Sequence, residues 1–407
     1  VGHMTSDEDR GEDKIEKTAR AENKTPQQVA DFYIAQFKRD CARLNIELPQ
    51  PPLLCRATDH VDDMIRLIGR ILHNGFAYIT SSGIYFDVEK WRGPSRIGRL
   101  SRQSLDEQHA GQRLEHSPDK KNPHDFALWV LNQPTHLMQW ESPWGRGYPG
   151  WHIECSAMSM KYLGETLDIH SGGLDHIPVH HENEIAQSEA ATGHPFVRYF
   201  VHNAFLLGME GAKISKSAGR FPVLDDLLNA GIDPLAFRLL CFGAKYRSEL
   251  AFSLEAVRAA GRNLDYLLEC VRNLPEEATD AAEDSSWVRD FGDRFDEALN
   301  SDLNTPQALA ITLELVADSY RRKDPRIWHT LSRFNEVMGL TLEEHLGAAR
   351  EASFPAEILQ LRDQREQARK ARDFQRADEL RRELDALGYE VRDSKTGSML
   401  MPKRFAP

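Results

Sequence analysis

The feature that most constrains the fold is a change of character near Val223. From there to Met338, apolar residues recur at helical spacing in five segments: Phe237–Phe242, Leu254–Leu274, Val288–Asn300, Thr305–Tyr320 and Arg326–Met338. A charged helical pair, 356–387, follows and is broken near Asp373, and a short strand-like stretch covers 389–400. The second half of the chain is therefore predicted to be almost entirely helical.

The first half mixes helix and strand signals. Helices are predicted over 27–44 and 59–74, and a β-hairpin is predicted over 77–88. Residues 92–124 are polar without a clear period and predict an exposed, mobile insert. The stretch 125–222 is dense in Gly, Trp and His, which is typical of a region that carries a site.

The net negative charge argues against a protein that binds nucleic acid over its whole surface. The chain has 51 Lys and Arg against 63 Asp and Glu, a net charge of −12 with His neutral. From Ala356 onward, 12 basic residues face 10 acidic ones, so this segment carries +2 and the remainder −14. The basic segment is either a local RNA-facing surface or a helix pair laced with ion pairs along its own faces.

Cysteine usage and hydropathy limit the compartment. No apolar run approaches the roughly 20 residues that a membrane helix needs. Five scattered cysteines, an odd number, argue against a disulfide scaffold and fit a reducing compartment, so a cytoplasmic location is predicted. They are Cys41, Cys55, Cys155, Cys241 and Cys270.

One spacing suggests a metal centre. His180 and Glu184 are four residues apart in a helical run and so share one face, and Cys155 lies upstream. Sulfur, imidazole and carboxylate form a donor set that suits Zn²⁺. On spacing alone the ordinary interpretation is favoured over a metal site: a solvated His/Glu helix face and a cysteine that packs as a small apolar residue.

Two further segments could bind a nucleotide. Lys213 and Lys216 lie three apart among small residues and serines, so both ammonium groups could reach a polyphosphate. In 168–175, two adjacent glycines would let a ligand approach the backbone, with His170 and Asp175 at its edges. An exposed loop and a plain turn are the simpler alternatives.

Taken together and in order, these pieces resemble the cysteinyl-tRNA synthetases, a family of class I aminoacyl-tRNA synthetases. The resemblance covers essentially the whole chain. Its motifs are Gly150–Ser156 (GWHIECS), Asp168–Gly173 (DIHxGG), His180–Ser188 (HHENEIAQS), His202–Leu206 (close to HNGFL), Lys213–Ser217 (KMSKS, with Ile for Met), Asn304–Leu309 (NTPxAL) and Ala377–Asp378 with Gly388.

The resemblance implies an α/β plus all-α fold. An incomplete class I Rossmann-type catalytic domain would be followed by a helical bundle and a small C-terminal anticodon-binding module. The implied divisions are a Rossmann remnant (1–60), a connective insert (61–145), the second catalytic half with the zinc site and the KMSKS-like loop (146–245), the helical bundle (246–348) and the tRNA-contacting module (349–407).

The resemblance also assigns roles to residues. Cys155, His180 and Glu184 would be three of four ligands to one Zn²⁺ per chain, which binds the thiolate of the substrate cysteine. Trp151 would form a wall against the amino-acid side chain, with His170 beside it.

The nucleotide and tRNA partners follow from the same resemblance. Asp175 would contact the nucleotide, and Lys216 with Lys213 would clamp the phosphates of ATP, which is used with Mg²⁺. The implied enzyme is a cysteine–tRNA ligase that joins L-cysteine to tRNA(Cys) through a cysteinyl-adenylate and is a monomer.

A zinc ion would meet a real chemical need in such an enzyme. Cysteine and serine differ by one atom, and a shape-matched pocket separates such pairs by only about 1–3 kcal/mol. A metal that binds thiolate directly adds a discrimination that a serine hydroxyl cannot match. Neither adenylation nor transfer needs a side-chain nucleophile, since positioning and charge neutralisation suffice.

Several positions depart from the family pattern. Family members carry a first Rossmann half with a HIGH motif and a further zinc-ligand cysteine, and neither occurs before Cys41. We therefore expect a truncated N-terminus, with three of four zinc ligands and half of the ATP site. Smaller departures are Val179, where the family more often has Pro, and Ala218 and Arg220 after the lysine loop.

Two other functions stay open at this point. One is the mycothiol-pathway ligase that joins cysteine to an amino sugar with a similar catalytic core but without an anticodon-reading end. The other is a truncated or degenerate paralog that binds cysteine, metal or RNA without turnover, for which the missing N-terminal half is the argument.

Overall fold

The structure is a computed structural model in which two compact units can be described. It describes residues 14–91, 98–103, 119–134, 136–208, 222–274, 284–345, 355–394 and 397–402. The first unit takes in the described residues of Val1–Ala42, Glu47–Phe205 and Tyr246–Glu249. The second takes in those of Arg43–Ile46, Leu206–Lys245 and Leu250–Pro407.

The first unit alternates helices and strands, as its mixed sequence signals predict. In chain order, its elements are α1 Lys14–Glu22, α2 Pro26–Arg43 (whose last residue falls in the second unit), α3 Val61–His73, β1 Ala77–Ile79, β2 Gly83–Phe86, α4 Val88–Trp91, β3 Phe126–Leu131, β4 Gly147–Pro149, α5 Trp151–Leu163, β5 Leu167–Gly173, α6 Glu182–Thr192 and β6 Val197–Asn203. The helices predicted over 27–44 and 59–74 and the hairpin over 77–88 are thus confirmed, with small shifts at their ends.

A four-stranded antiparallel sheet in the order β1–β2–β3–β4 forms one side of this unit. Strand β2 is buried on both faces, and α3 contributes apolar residues at helical spacing to the core that contains Ile84 and Phe86. Ile153 and Ala157 of α5 and Ala186 and Ala190 of α6 complete that core. Helices α5 and α6 therefore pack against the four-stranded sheet.

The polar stretch 92–124 is only partly as predicted. Its residues 92–97 and 104–118 lie outside the described part of the chain. Within 98–103, Leu100 packs against the small core around Phe196 rather than lying free in solvent. After this stretch, β3 is a central sheet strand, so the insert begins and ends on ordered structure.

A βαβ unit carries the histidine-rich segment. Strands β5 and β6 pair in parallel, with Ile169 opposite Tyr199 and Gly173 opposite Asn203. A parallel pair needs a crossover connection. Here the crossover consists of a short 3₁₀ turn (174–176), a π-helical turn (177–181) and α6.

The second unit is helical, as the periodicity predicts. Its elements are β7 Leu206–Leu207, α7 Leu224–Asn229, α8 Pro234–Phe242, β8 Leu250–Ala251, α9 Leu254–Arg272, α10 Arg289–Asn300, α11 Thr305–Arg322, α12 Trp328–Met338, α13 Ala356–Lys370, α14 Phe374–Ala386, β9 Tyr389–Ser394 and β10 Gly397–Pro402. Residues of α8 to α12 share one apolar core that includes the stacked rings of Phe295 and Phe334, 3.9 Å apart.

The C-terminal segment is a helix pair followed by a β-hairpin. Asp373 caps α14 by accepting a hydrogen bond from the Arg376 backbone N–H, which is why the predicted helical pair breaks there. The strand-like stretch after Gly388 proves to be two antiparallel strands, β9 and β10. Among the described residues, no helix combines the length and apolarity needed to cross a bilayer.

Candidate functional site

Cys155, His180 and Glu184 come together in the first unit. Their ligand atoms, one from each residue, all lie within 4.8 Å of one another. His180 Nε2 is 3.7 Å from Glu184 Oε1. The residues that the sequence spacing selects as metal ligands therefore share one small volume.

Two packed helices and a turn explain this meeting. Cys155 lies in the second turn of α5 and Glu184 in the first turn of α6, and both helices pack on the same apolar core. His180 belongs to the π-helical turn 177–181 that leads into α6. A π-turn holds one more residue than an α-turn and is frequent at functional sites, because it changes the direction in which side chains project.

Contacts at Nδ1 and at the ring face fix the orientation of the His180 imidazole. Its Nδ1 atom lies 2.9 Å from Nδ1 of His152, and His152 Nε2 is 3.1 Å from the side-chain amide of Asn183. Trp151 packs against the same imidazole at a centroid distance of 4.5 Å. These contacts leave Nε2 as the nitrogen that faces Glu184.

A second group of ligand-type atoms shares Glu184. His170, His181 and Glu184 also bring their ligand atoms within 4.8 Å of one another. His170 Nε2 lies 3.0 Å, and His181 Nε2 3.7 Å, from Glu184 Oε2. Glu184 thus offers one carboxylate oxygen to each group.

His181 is the deepest of these imidazoles. Its Nδ1 is 2.8 Å from Nε2 of His202, and it is 2 % exposed. The ring lies directly on the backbone of β5: a Cβ placed on Gly172 would come within 2.8 Å of the imidazole. The DIHxGG glycine is therefore needed for this packing and not only for an approaching ligand.

Burial sets the protonation of these groups. Burial raises the pKa of Glu184, and the hydrogen bond with His170 only partly opposes that shift. Burial, followed by the charges of Glu184 and Glu154, raises the pKa of the Cys155 thiol. Burial, together with the neighbouring histidines, lowers the pKa of His181 to about 2, so this ring is neutral.

One atom tests whether the site fits a metal. Glu184 is 0 % exposed, and among the described residues its Oε1 has no hydrogen-bond partner, with His180 Nε2 3.7 Å away. A buried carboxylate oxygen without a donor is costly in a folded protein. A divalent cation would satisfy that oxygen and favour the thiolate, and the mixed S, N and O donors suit zinc.

The other predicted site residues are distributed differently. Trp151 packs against His180 of the first group, and His170 is itself a member of the second group. Asp175 lies beyond the end of β5 in the 3₁₀ turn, half exposed, with His176 Nδ1 3.6 Å from its carboxylate. Lys213 and Lys216 lie outside the described residues.

Sequence reasoning missed His152, His181, His202 and Glu182. All four are buried polar residues beside the predicted ones. The adjacent His180-His181 pair was the available signal, because two neighbouring histidines on a wide turn can both project toward one carboxylate.

Three family models match the chain. Residues 9–262 match the class I (C) tRNA synthetase catalytic domain. Residues 294–343 match the DALR domain, and residues 351–398 match the cysteinyl-tRNA ligase anticodon binding domain.

Curated relatives agree with these matches over nearly the whole chain. The cysteine–tRNA ligase of Treponema denticola is 40% identical over 419 residues, covering 97% of this chain and 84% of the relative. Cysteine–tRNA ligase 1 of Burkholderia lata is 41% identical over 402 residues, covering 98% and 82%.

A solved structure shares the fold. The Mycobacterium tuberculosis methionyl-tRNA synthetase, in complex with methionyl-adenylate, superimposes with a TM-score of 0.54 at 15% identity, covering 75% of this chain and 72% of that one. The likeness supports the class I synthetase architecture that the sequence predicts.

Proposed function

The chain belongs to the cysteinyl-tRNA synthetases, class I enzymes that charge tRNA with cysteine at the expense of ATP, and from that premise we propose that Cys155, His180 and Glu184 hold a zinc ion that binds the substrate thiol. When bound, the ion supplies a positive charge and a soft coordination position for a thiolate. The observation that carries the proposal is the buried Glu184 Oε1, which has no hydrogen-bond partner among the described residues and belongs to a group whose ligand-type atoms all lie within 4.8 Å of one another.

The surrounding residues orient this centre and shape the amino-acid pocket. His152 contacts Nδ1 of His180, and Asn183 in turn contacts His152. These outer contacts leave Nε2 of His180 as the nitrogen available to a metal. Trp151 packs on that ring and would form the wall against the cysteine side chain. His170, through its contact with Glu184, would border the same pocket.

The family resemblance implies nucleotide-binding roles for three residues. Asp175 lies at the carboxyl end of β5, the edge where open α/β sheets bind ligands. Lys213 and Lys216, in the KMSKS-like loop, would neutralise the phosphates of Mg²⁺-ATP. The cysteine carboxylate would attack the α-phosphate, release pyrophosphate and form cysteinyl-adenylate, whose acyl group then passes to a terminal ribose hydroxyl of tRNA(Cys).

The match to an anticodon binding domain over 351–398 favours tRNA over an amino sugar as the acceptor. A non-catalytic paralog is the second candidate, and cysteine-dependent ATP–pyrophosphate exchange by the 407-residue chain separates the two. A monomeric state, a cytoplasmic location and the five-part domain division stay predictions.

The zinc proposal is tested by replacing Cys155 with serine. We expect Cys155→Ser to lose stoichiometric zinc, measured by atomic absorption on the purified chain, because a hydroxyl is a far poorer zinc ligand than a thiolate. The KM for cysteine should rise in pyrophosphate exchange while the KM for ATP is unchanged.

Cys270→Ser is the matched control. Cys270 is a buried cysteine far from the proposed ligands in sequence, and it lies in the helical core of the second unit. This variant should keep its zinc and its KM for cysteine. Full zinc occupancy in Cys155→Ser would refute the proposed ligand set.

A further inference from the structure

A buried carboxylate lies beside the metal ligands without belonging to either group. Glu182 is the first residue of α6 and is 6 % exposed. It lies two residues after His180 and two before Glu184. Glu182 has no part in the proposed binding of zinc, cysteine or ATP.

The Glu182 carboxylate binds a distant stretch of backbone. Its Oε1 accepts hydrogen bonds from the backbone N–H groups of Leu100 and Ser101, both at 2.9 Å. Its Oε2 accepts one from the Gly98 N–H at 3.3 Å. Three donors from one short segment, here called the 98–101 strap, thus converge on one charged group, and bonds to an ionised acceptor are the stronger kind.

Two other contacts hold the strap on the same helix. Arg99 Nη2 lies 2.6 Å from Oε1 of Glu189, two turns further along α6. Leu100 packs against the small core formed by Leu167, Ile185 and Phe196. The strap is therefore anchored at the beginning and in the middle of α6, and Glu182 is the buried anchor.

Glu182 is also where the π-turn becomes an α-helix. The π-turn ends at His181, and regular α-helix begins at Glu182. A π-turn is a less favourable arrangement than the α-helix that flanks it and persists only where surrounding contacts hold it. If the turn relaxed, successive residues would rotate about the helix axis, and His180 and His181 would no longer project toward Glu184.

We propose that Glu182 is a positioning residue for the metal centre: by binding the 98–101 strap, it holds the first turn of α6 and the π-turn that presents His180 and His181. This inference rests on the proposed zinc site. It adds a requirement that no ligand residue reveals, namely that a segment more than 80 positions away in the sequence contributes to metal affinity.

The test compares Glu182→Ala and Glu182→Gln in the full chain. Zinc affinity is measured by competition with a chromophoric chelator, without substrates. We expect Glu182→Ala to weaken zinc binding by roughly 10-fold, the lower end of the loss seen when a hydrogen-bond partner of a ligand is removed, because Glu182 acts through the turn and not directly on a ligand. Glutamine keeps an oxygen for Leu100 and Ser101, so Glu182→Gln should recover most of the loss.

A spectroscopic readout separates positioning from general destabilisation. With Co²⁺ in place of zinc, the visible bands report the coordination geometry. They should change in Glu182→Ala and stay as in the wild type in the control Glu189→Gln, which weakens the Arg99 contact but leaves the three bonds to Glu182 intact. Amide hydrogen exchange at 98–101 should quicken most in Glu182→Ala.

If Glu182→Ala does not fold, Glu182→Asp carries the test, because it keeps the charge at the helix N-terminus but withdraws the carboxylate from the strap. Zinc affinity within twofold of the wild type, in whichever of these two variants folds, would overturn the inference while leaving the zinc site standing. A wild-type chain that binds no zinc would overturn the metal centre itself, and this inference with it.

Discussion

Helix α6 of the first unit and helix α12 of the second are both eleven residues long and have very different interiors. Half of the buried residues of α6 are polar: Glu182, Glu184, Gln187 and Ser188, beside Ile185 and three alanines. In α12, the buried residues are apolar apart from Asn335, whose amide pairs with Glu343 and the Leu340 backbone.

The difference shows how one kind of helix serves two purposes. The interior of α12 is filled by side chains whose removal from water stabilises the fold. The interior of α6 contains groups that cost free energy to bury unless each finds a partner. We therefore expect the free energy of unfolding to be most sensitive to the loss of buried side-chain volume around α12 and to the loss of buried hydrogen bonds around α6.

The largest loss of stability is expected when a buried aromatic side chain of the second unit is truncated. Phe334 is 0 % exposed and stacks on Phe295, so Phe334→Ala should lower the free energy of unfolding of that unit by about 3–5 kcal/mol. Urea unfolding followed by circular dichroism measures the loss. Zinc content should be unchanged in the folded fraction, and a loss of zinc would break the contrast.

A smaller loss is expected when a polar group is removed from the first unit. Ser156 is 0 % exposed and accepts hydrogen bonds from Gln187 Nε2 at 2.6 Å and Ser188 Oγ at 2.8 Å. Ser156→Ala removes the shared acceptor of two buried donors and should cost about 1–3 kcal/mol in urea unfolding.

Thr312 in the second unit provides the matched polar deletion. It is also 0 % exposed, but its hydroxyl donates to the Ala308 carbonyl, which is already part of a helix. Thr312→Val keeps the shape and strands no donor, so it should cost less than Ser156→Ala. Equal losses in the two variants would remove the distinction between the two interiors.

The smallest effect is a pH-dependent one at the edge of α3. Burial acts to raise the pKa of Asp63, but hydrogen bonds from Lys161, His60 and Arg66 outweigh it and lower the pKa to about 2. The folded pKa lies below the unfolded value, so the stabilisation is present above about pH 4 and is lost as the pH falls toward 2.

Asp63→Asn should therefore lower the free energy of unfolding by about 1 kcal/mol at pH 7, a small value because Lys161 and Arg66 are largely in solvent. The difference between variant and wild type should vanish near pH 2. A difference that stays constant across this range would assign the effect to packing.

Local sequence signals predicted most of the helices and drew attention to Cys155, His180 and Glu184, which the structure brings together; their binding of a metal stays a proposal. Apolar periodicity placed α9 to α12, and the four-residue spacing indicated that His180 and Glu184 lie close together. What escaped prediction depends on contacts between distant segments. The strap on Glu182 and the pairing of His181 with His202 have no local pattern, and a π-turn has no period of its own in the sequence.

The close approach of Gly172 to His181 has a use beyond this molecule. Any side chain at 172 would collide with the imidazole, so the two positions cannot drift independently. A remote homologue that retains both the glycine and the histidine is expected to keep this contact between strand and imidazole. A homologue with another residue in place of the glycine must pack the histidine differently. Two columns of an alignment would then report on this packing before any coordinates exist.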